Sequence, residues 1–307
     1  MIKVLFEVEM VYHLGSLLPF YRELSRDSDY DIRFHLGKNQ KRVLGFWLIS
    51  ERPQLTEELT EQGFKLTDNT QGFDLVISGD ALNNPAAFGN VLRISLDHGV
   101  GIKTSRIRNI IKQSGYRYQV FLEGQFWFDY IKKLGWQDKA DFHVTGSPKL
   151  DPLFWDNHFN NDLLLEKLQL NPHHNTVLFA PSYKPSCIKF IGKKIFDLIP
   201  HYNLIIKLHP YSWRGKYAPH SHHRFFEKLV RKNKCVHLIP EEVYDIYPYL
   251  YLADTLISDT SSVINEFLAL GRFGIICVLP QYKRKHSDGM ETLAVDPQDW
   301  FKDAYPH

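Results

Sequence analysis

Short apolar runs and helically spaced apolar residues alternate along this chain from end to end. Residues 3–9 read as a buried strand. The turn Val11-Tyr12-His13-Leu14-Gly15-Ser16 then leads into a helix whose apolar face is Leu17, Leu18, Tyr21 and Leu24. Further strands are predicted at 31–36, 73–78, 91–96 and 120–122, with helices over 56–63 and 126–134. Strands and helices in alternation imply a parallel sheet covered on both faces. The run Phe142-His143-Val144-Thr145-Gly146-Ser147-Pro148-Lys149-Leu150-Asp151-Pro152 interrupts the rhythm with a glycine and two prolines. A domain boundary is placed there, giving residues 1–150 and 151–307. Beyond it, strands are expected at 176–180, 204–208, 236–239, 255–257 and 274–278. Helices are expected at 162–168, 189–198, 224–232, 243–252 and 263–270. The fold class is therefore α/β, two doubly wound, Rossmann-like halves facing across a cleft, with the last residues packing back on the first half.

Size and composition narrow the partners. A chain of 307 residues can bury two cores, and 44% hydrophobic with 23% charged residues is the balance of an ordinary globular protein. Lys and Arg number 37 against 35 Asp and Glu, leaving a net charge of +2, too little to draw in nucleic acid, so anion binding must be local. Cys187, Cys235 and Cys277 are odd in number and widely spaced, which suggests neither a disulfide framework nor a zinc knuckle and suits a reducing cytosol. Glu7 and Glu9 fall where a signal peptide would be apolar, and no apolar run reaches about 18 residues. A cytoplasmic protein is expected, neither secreted by that route nor spanning a membrane.

Candidate chemistry lies at strand ends, because ligands of open parallel sheets bind outside the carboxyl edge. In Ser258-Asp259-Thr260-Ser261-Ser262, a strand passes directly into a helix. Ser261 and Ser262 there cap the helix, donate to phosphate oxygens, or do both, while Asp259 reads as fixing the turn. Two other strand ends carry Ala180-Pro181-Ser182-Tyr183-Lys184 and Lys207-Leu208-His209-Pro210, and all three turns should open on one sheet edge. In the first half, Leu96-Asp97-His98-Gly99-Val100-Gly101-Ile102-Lys103 puts His98 at an edge with Gly99 beside it and Lys103 beyond. His98 is either functional or the filler of a loop, and His13 in the first turn is a further candidate. Facing halves would set His98 opposite His209. His220-Ser221-His222-His223 reads as a polar loop with surface histidines, and with no Asp-x-Asp pattern near the other motifs neither metal nor cofactor is assigned. Arg106-Ile107-Arg108-Asn109-Ile110-Ile111-Lys112 is basic and amphipathic, either a surface for anionic lipid or a helix with a solvated face.

Read together, these motifs resemble the CDP-glycerol glycerophosphotransferase family, the polymerases and primases of teichoic acids and related capsule polymers. Leu96-Asp97-His98-Gly99-Val100-Gly101-Ile102-Lys103 is similar to the family's Trp-His-Gly-Thr-Pro-Leu-Lys, and Val144-Thr145-Gly146-Ser147-Pro148-Lys149-Leu150-Asp151 to its Gly-x-Pro-Arg-x-Asp. Phe179-Ala180-Pro181-Ser182-Tyr183-Lys184 resembles Tyr-Ala-Pro-Thr-Trp-Arg, Lys207-Leu208-His209-Pro210 resembles Lys/Arg-x-His-Pro, and Ser258 to Ser262 resembles Thr-Asp-Tyr-Ser-Ser. The likeness covers about residues 90 to 280 and departs from the family at Val100, Gly101, Lys149, Lys184 and Thr260. A lysine in place of arginine keeps the charge and loses the bidentate fork.

The resemblance implies a GT-B fold with the nucleotide donor on the second half and the acceptor on the first. It implies attack by an acceptor hydroxyl on the β-phosphorus of a CDP-polyol, with release of CMP, by His98 as general base and His209 on the transferring phosphate. Ser182, Lys184, Lys207, Asp259, Ser261, Ser262 and Glu266 would surround the donor, and Gly99, Lys103, Lys149 and His13 are secondary candidates. Glu266 takes a ribose or polyol hydroxyl or is an exposed helix carboxylate. The acceptor implied is a lipid-linked or polymeric saccharide, with peripheral contact at the inner face of the cell membrane. Other GT-B enzymes, taking a UDP-sugar or CMP-Kdo, and a non-catalytic subunit of the same fold are the competing readings.

Overall fold

The computed structural model describes residues 1–37, 40–43, 47–50, 52–101, 104–183, 186–213, 222–231, 233, 236–259 and 261–278. The chain divides into two compact units, Met1–Asp156 and Asn157–His307.

In the first unit the elements run β1 (Ile2–Val8), α1 (Leu14–Leu24), β2 (Tyr30–Leu36), β3 (Gln40–Val43), β4 (Trp47–Ser50), α2 (Arg52–Glu61) and β5 (Leu75–Ser78). They continue with β6 (Leu92–Ser95), α3 (Thr104–Lys112), β7 (Tyr118–Leu122), α4 (Gln125–Lys133) and β8 (Asp141–Val144). Six of these strands form one sheet in the order β2-β1-β5-β6-β7-β8, every pairing parallel. Val4, Leu5 and Phe6 are buried in succession because helices cover both faces of a parallel sheet. On one face Leu5, Val76, Val120 and Leu122 meet Ile107 and Ile110 of α3 and Trp127 and Ile131 of α4. On the other, Phe6 stacks on Phe34 at 5.0 Å between ring centroids, and Tyr21 of α1 meets Phe34 edge-on. The 3-10 helix Pro148–Leu153 packs against α1, and the Arg22 guanidinium lies 4.3 Å from the Trp155 ring centroid. These contacts carry the first unit on to Asp156, past Leu150.

The second unit holds α5 (Asn161–Lys167), β9 (Thr176–Phe179), α6 (Ile188–Ile191), β10 (Asn203–Ile206), α7 (His222–Val230) and β11 (Val236–Leu238). It ends with α8 (Tyr247–Leu252), β12 (Thr255–Ser258), α9 (Val263–Leu268) and β13 (Gly274–Ile276). Its parallel sheet has the order β11-β10-β9-β12-β13. All four residues of β9 and of β10 are buried, and Phe179, Leu204 and Ile206 pack with Phe226 of α7 and Ile188 of α6.

Four local expectations need correction. The helix expected at 189–198 is α6 followed by the 3-10 helix Gly192–Leu198, because Gly192 takes φ +49° and ends the α geometry. The helix expected from 243 begins only at Tyr247, since Pro248 fits the first turn and not a helix interior. The antiparallel pair β3–β4 was not anticipated. Arg106 on α3 is 2% exposed and turned inward, so the basic helix presents fewer charges to a surface than its composition suggests. Among the described residues no helix is long and apolar enough to cross a membrane.

Candidate functional site

Four neighbouring strands of the first sheet, β1, β5, β6 and β7, end on one edge and place His13, Asp80, His98 and Glu123 there. His98 is anchored through the residue before it. Asp97 adopts φ +76°, a region costly for a residue with a Cβ, and its Oδ1 accepts the backbone N–H of His98 at 2.7 Å and of Gly99 at 3.2 Å. Oδ2 of Asp97 lies 3.0 Å from Nε of Arg106, whose Nη1 donates to the Ser95 carbonyl at 3.1 Å and Nη2 to that of Phe121 at 3.2 Å. Arg106 thus ties α3 to the ends of β6 and β7. Nδ1 of His98 is 3.2 Å from the Gly79 carbonyl, which can only accept, so the proton sits on Nδ1 and the lone pair on Nε2. Asp80 Oδ2 stands 3.7 Å from the same Nδ1.

His13 stacks on His98 with 5.0 Å between centroids and is 3% exposed. Burial first, and the neighbouring His98 second, depress its pKa to about 3, so it is neutral at any working pH. Nδ1 of His13 is buried and has no hydrogen-bond partner. A Cβ at Gly79 would lie 2.9 Å from Cγ of His13, so glycine is required for the ring to sit there. Together His13, Asp80 and His98 each offer a ligand atom within 4.8 Å of the others. Glu123 is raised to about 7, chiefly by burial and then by the Asp97 charge, with Arg106 opposing. Lys149 runs along the start of α1, its Cε 3.4 Å from where a Gly15 Cβ would stand.

In the second unit the adjacent strands β10, β9 and β12 end side by side, bringing Lys207 to His209, Ala180 to Tyr183, and Ser258, Asp259, Ser261 and Ser262 to one edge. Asp259 is 1% exposed and locks two of these turns together. Its Oδ1 accepts the Ser182 N–H at 2.8 Å, and its Oδ2 accepts the Cys187 N–H at 2.7 Å. Ser258 adds a hydrogen bond from its hydroxyl to the Ala180 carbonyl at 2.6 Å. Asp259 therefore holds the turn, as its residue type suggested. Nδ1 of His209 accepts the Tyr211 N–H at 3.1 Å, which fixes the proton on Nε2 and makes that atom a donor. The rings of Tyr183 and Tyr211 flank it at 4.5 and 5.2 Å. Lys207 is buried, and that burial lowers its pKa to about 8. At the head of α9 the Ser262 side chain makes no capping hydrogen bond. Glu266 is fully buried, which removes its reading as an exposed helix carboxylate. Lys103, Lys184 and Thr260 lie outside the described residues.

Residues 125–297, more than half of the chain, match the profile of the CDP-glycerol:poly(glycerophosphate) glycerophosphotransferases. The chain belongs to this family. It is accordingly a transferase, and four of the five segments quoted above, those between Val144 and Ser262, lie within the matched residues, while the one around His98 lies before them. Compared with curated proteins by sequence, it finds no match. Its fold is that of the wall teichoic acid polymerase TagF soaked with CDPG, at TM-score 0.57 and 13% identity over 89% of this chain and 69% of that one. The UDP-GlcNAc 2-epimerase of Neisseria meningitidis, bound to UDP-GlcNAc, is similar at TM-score 0.60 and 13% identity, covering 99% and 92%. S. aureus MnaA with UDP follows at 0.56 and 12%, covering 90% and 79%. These likenesses establish the GT-B-type architecture.

Within the family's architecture, the residues that sequence reasoning missed are Asp80, Asp97, Arg106 and Glu123. Asp80 and Glu123 each stand just after a predicted strand, the same placement that singled out His98. Arg106 was hidden because a helix rich in Arg and Lys looks solvated until its partners are known. His223 was read as part of a polar loop. Instead it lies on α7, its Nδ1 3.0 Å from the Ser212 carbonyl and its ring stacked on Trp213.

Proposed function

We propose that the chain transfers glycerophosphate from CDP-glycerol to the terminal hydroxyl of a teichoic-acid-type polymer or its lipid-linked precursor, with the donor on residues 157–307 and the acceptor on residues 1–156. The observation that carries this reading is the shared edge of β10, β9 and β12, where a histidine, a lysine and several hydroxyls converge next to glycine-free, rigidly bonded turns. Nε2–H of His209 and the Lys207 ammonium suit the oxygens of the transferring phosphate, and the Ser261 and Ser262 hydroxyls suit those of the diphosphate. Glu266, buried in α9, takes a ribose or polyol hydroxyl. Nε2 of His98 accepts the acceptor's proton as its oxygen bonds to the β-phosphorus and the bond to CMP breaks. Such a reaction asks the protein for positioning and charge neutralisation more than for covalent work.

Calorimetry with CDP-glycerol, CDP-ribitol, UDP-GlcNAc and CMP-Kdo tests the donor. Saturable binding of CDP-glycerol with transfer to a poly(glycerophosphate) acceptor is expected. Binding of UDP-GlcNAc alone would move the assignment to the epimerase-like reading, and binding of no nucleotide would leave a non-catalytic subunit. A lipid-linked acceptor also implies contact with an anionic membrane surface, supported by Arg108 and Lys112 on α3 but no longer by the buried Arg106. Flotation with anionic liposomes at low and high salt should show weak, salt-sensitive attachment. Equal absence from the lipid fraction at both salts would remove the membrane contact and leave the donor assignment untouched.

A further inference from the structure

We propose that His13, Asp80 and His98 form a binding site for one divalent transition-metal ion at the carboxyl edge of the first sheet. Three separate segments supply the donors, from the ends of β1, β5 and β6, and one ligand atom from each lies within 4.8 Å of the other two. Nδ1 of His98 and Oδ2 of Asp80 are 3.7 Å apart. That is too long for a hydrogen bond, which would draw them to about 2.7 to 3.2 Å. It is close to the separation of roughly 3.4 Å between two ligands that each stand about 2.1 Å from a tetrahedral ion.

The independent observation is His13. The residue is 3% exposed, and its Nδ1 is buried with no hydrogen-bond partner, an unfavourable state for a polar atom in the interior. Gly79 gives up a side chain to admit the ring: a Cβ there would come within 3.3 Å of that same Nδ1. An ion on Nδ1 would satisfy it. For His98 to ligate through Nδ1, its proton would move to Nε2 and its contact to the Gly79 carbonyl, at 3.2 Å a long one, would give way to the metal bond.

Two imidazoles and one carboxylate, with Asp80 and His98 partly exposed, leave coordination positions open on the solvent side. Such a donor set suits Zn2+, Mn2+ or Co2+ better than Mg2+ or Ca2+, which prefer oxygen. The inference rests on the acceptor reading of this edge only for its consequence. With an ion bound, His98 would be a ligand, and the metal would supply the acidification of an acceptor hydroxyl that Nε2 of His98 provides in its absence.

The test uses the full chain, stripped with chelator and titrated with Zn2+ by calorimetry and with Co2+ by visible absorption, whose d–d bands report nitrogen ligation. One saturating equivalent per chain is expected, weakened at least about 100-fold in Asp80→Asn and in His13→Gln, and unchanged in His222→Ala and His209→Ala. Asp80 is partly exposed and so keeps the test readable should the His13 variant fold poorly. Absence of saturable binding, or loss of binding in the His222 variant with retention in Asp80→Asn, would overturn the site. Binding of metal without any CDP-glycerol turnover would spare this inference and remove the proposed function. Full turnover in chelator by a protein that binds no metal would do the reverse and leave His98 as the base.

Discussion

His98 and His209 carry their protons on opposite ring nitrogens, so their loss should be felt in different steps. Replacing His98 with Ala removes the group acting on the acceptor's proton. Single-turnover rates should fall about 10²- to 10⁴-fold while donor affinity measured by calorimetry stays nearly constant. His209→Ala removes an Nε2–H donor to phosphate, and both donor affinity and rate should drop, with affinity lowered by roughly 1.5 to 3 kcal/mol. Thermal melting serves as the control, because neither residue belongs to the packed cores. Lys207 offers a second, quieter signature. Its pKa of about 8 in the free protein must rise when an anionic phosphate approaches. Binding of CDP-glycerol above pH 8 should therefore take up protons, and binding below pH 7 should take up none through this group. Calorimetry in buffers of different ionisation enthalpy reads the difference, and its absence would place the phosphate away from Lys207.

At the scale of elements, the turns are held by buried charges, and those charges set the stability of the edges. Asp259 joins the loops after β12 and β9 through two backbone N–H groups, so Asp259→Ala leaves Ser182 N and Cys187 N without their partner. Denaturant unfolding should show a loss of roughly 2 to 4 kcal/mol. Glu123 works in the opposite direction. Its carboxyl has a folded pKa of about 7 against 4.5 when exposed, so the folded state holds a proton that the unfolded chain has released. Stability contributed by this group is present below pH 4.5 and is lost as pH rises through 7. Glu123→Gln should match the wild type at pH 4 and exceed it at pH 8 by up to about 3 kcal/mol. A variant no more stable at pH 8 would mean that Asp97 and Arg106 already compensate the charge. Strands such as β1 and β9 were legible because consecutive buried apolar residues leave few alternatives. The start of α8 depended on one proline within an otherwise helical pattern.

On the scale of the whole chain, each unit closes its own sheet and its own core, with Leu5, Val120 and Trp127 in one and Phe179, Ile206 and Phe226 in the other. A fragment of residues 1–156 is expected to fold alone, with a cooperative melt followed by circular dichroism. If the Zn2+ site is as proposed, that fragment should bind the ion once its folding has been shown. A fragment that remains unfolded would mean that the first unit draws on the second for stability. The chain's small net charge agrees with the local character of both edges: among the described residues Lys207 on one and Arg106 on the other carry positive charge, and Arg106 is held by Asp97.

Sequence alone determined the alternation of strand and helix, the parallel sense of both sheets and the family, because each follows from local periodicity or from short contiguous motifs. It also determined that His98, His209 and Ser258 to Ser262 stand at strand ends, since a parallel sheet sends every such end to one edge. Only the tertiary structure decided what those residues touch. The sheet order β1-β5-β6-β7 is what brings His13, Asp80, His98 and Glu123 together, and no spacing in the chain encodes that order. Burial was equally out of reach. Arg106 and Glu266 are polar residues on helices, which local pattern assigns to solvent, yet both are buried, Arg106 against the Asp97 carboxylate. The ionisation of Lys207, His13 and Glu123 follows from the same cause, for a pKa is set by the water and charge around a group and not by its neighbours in sequence.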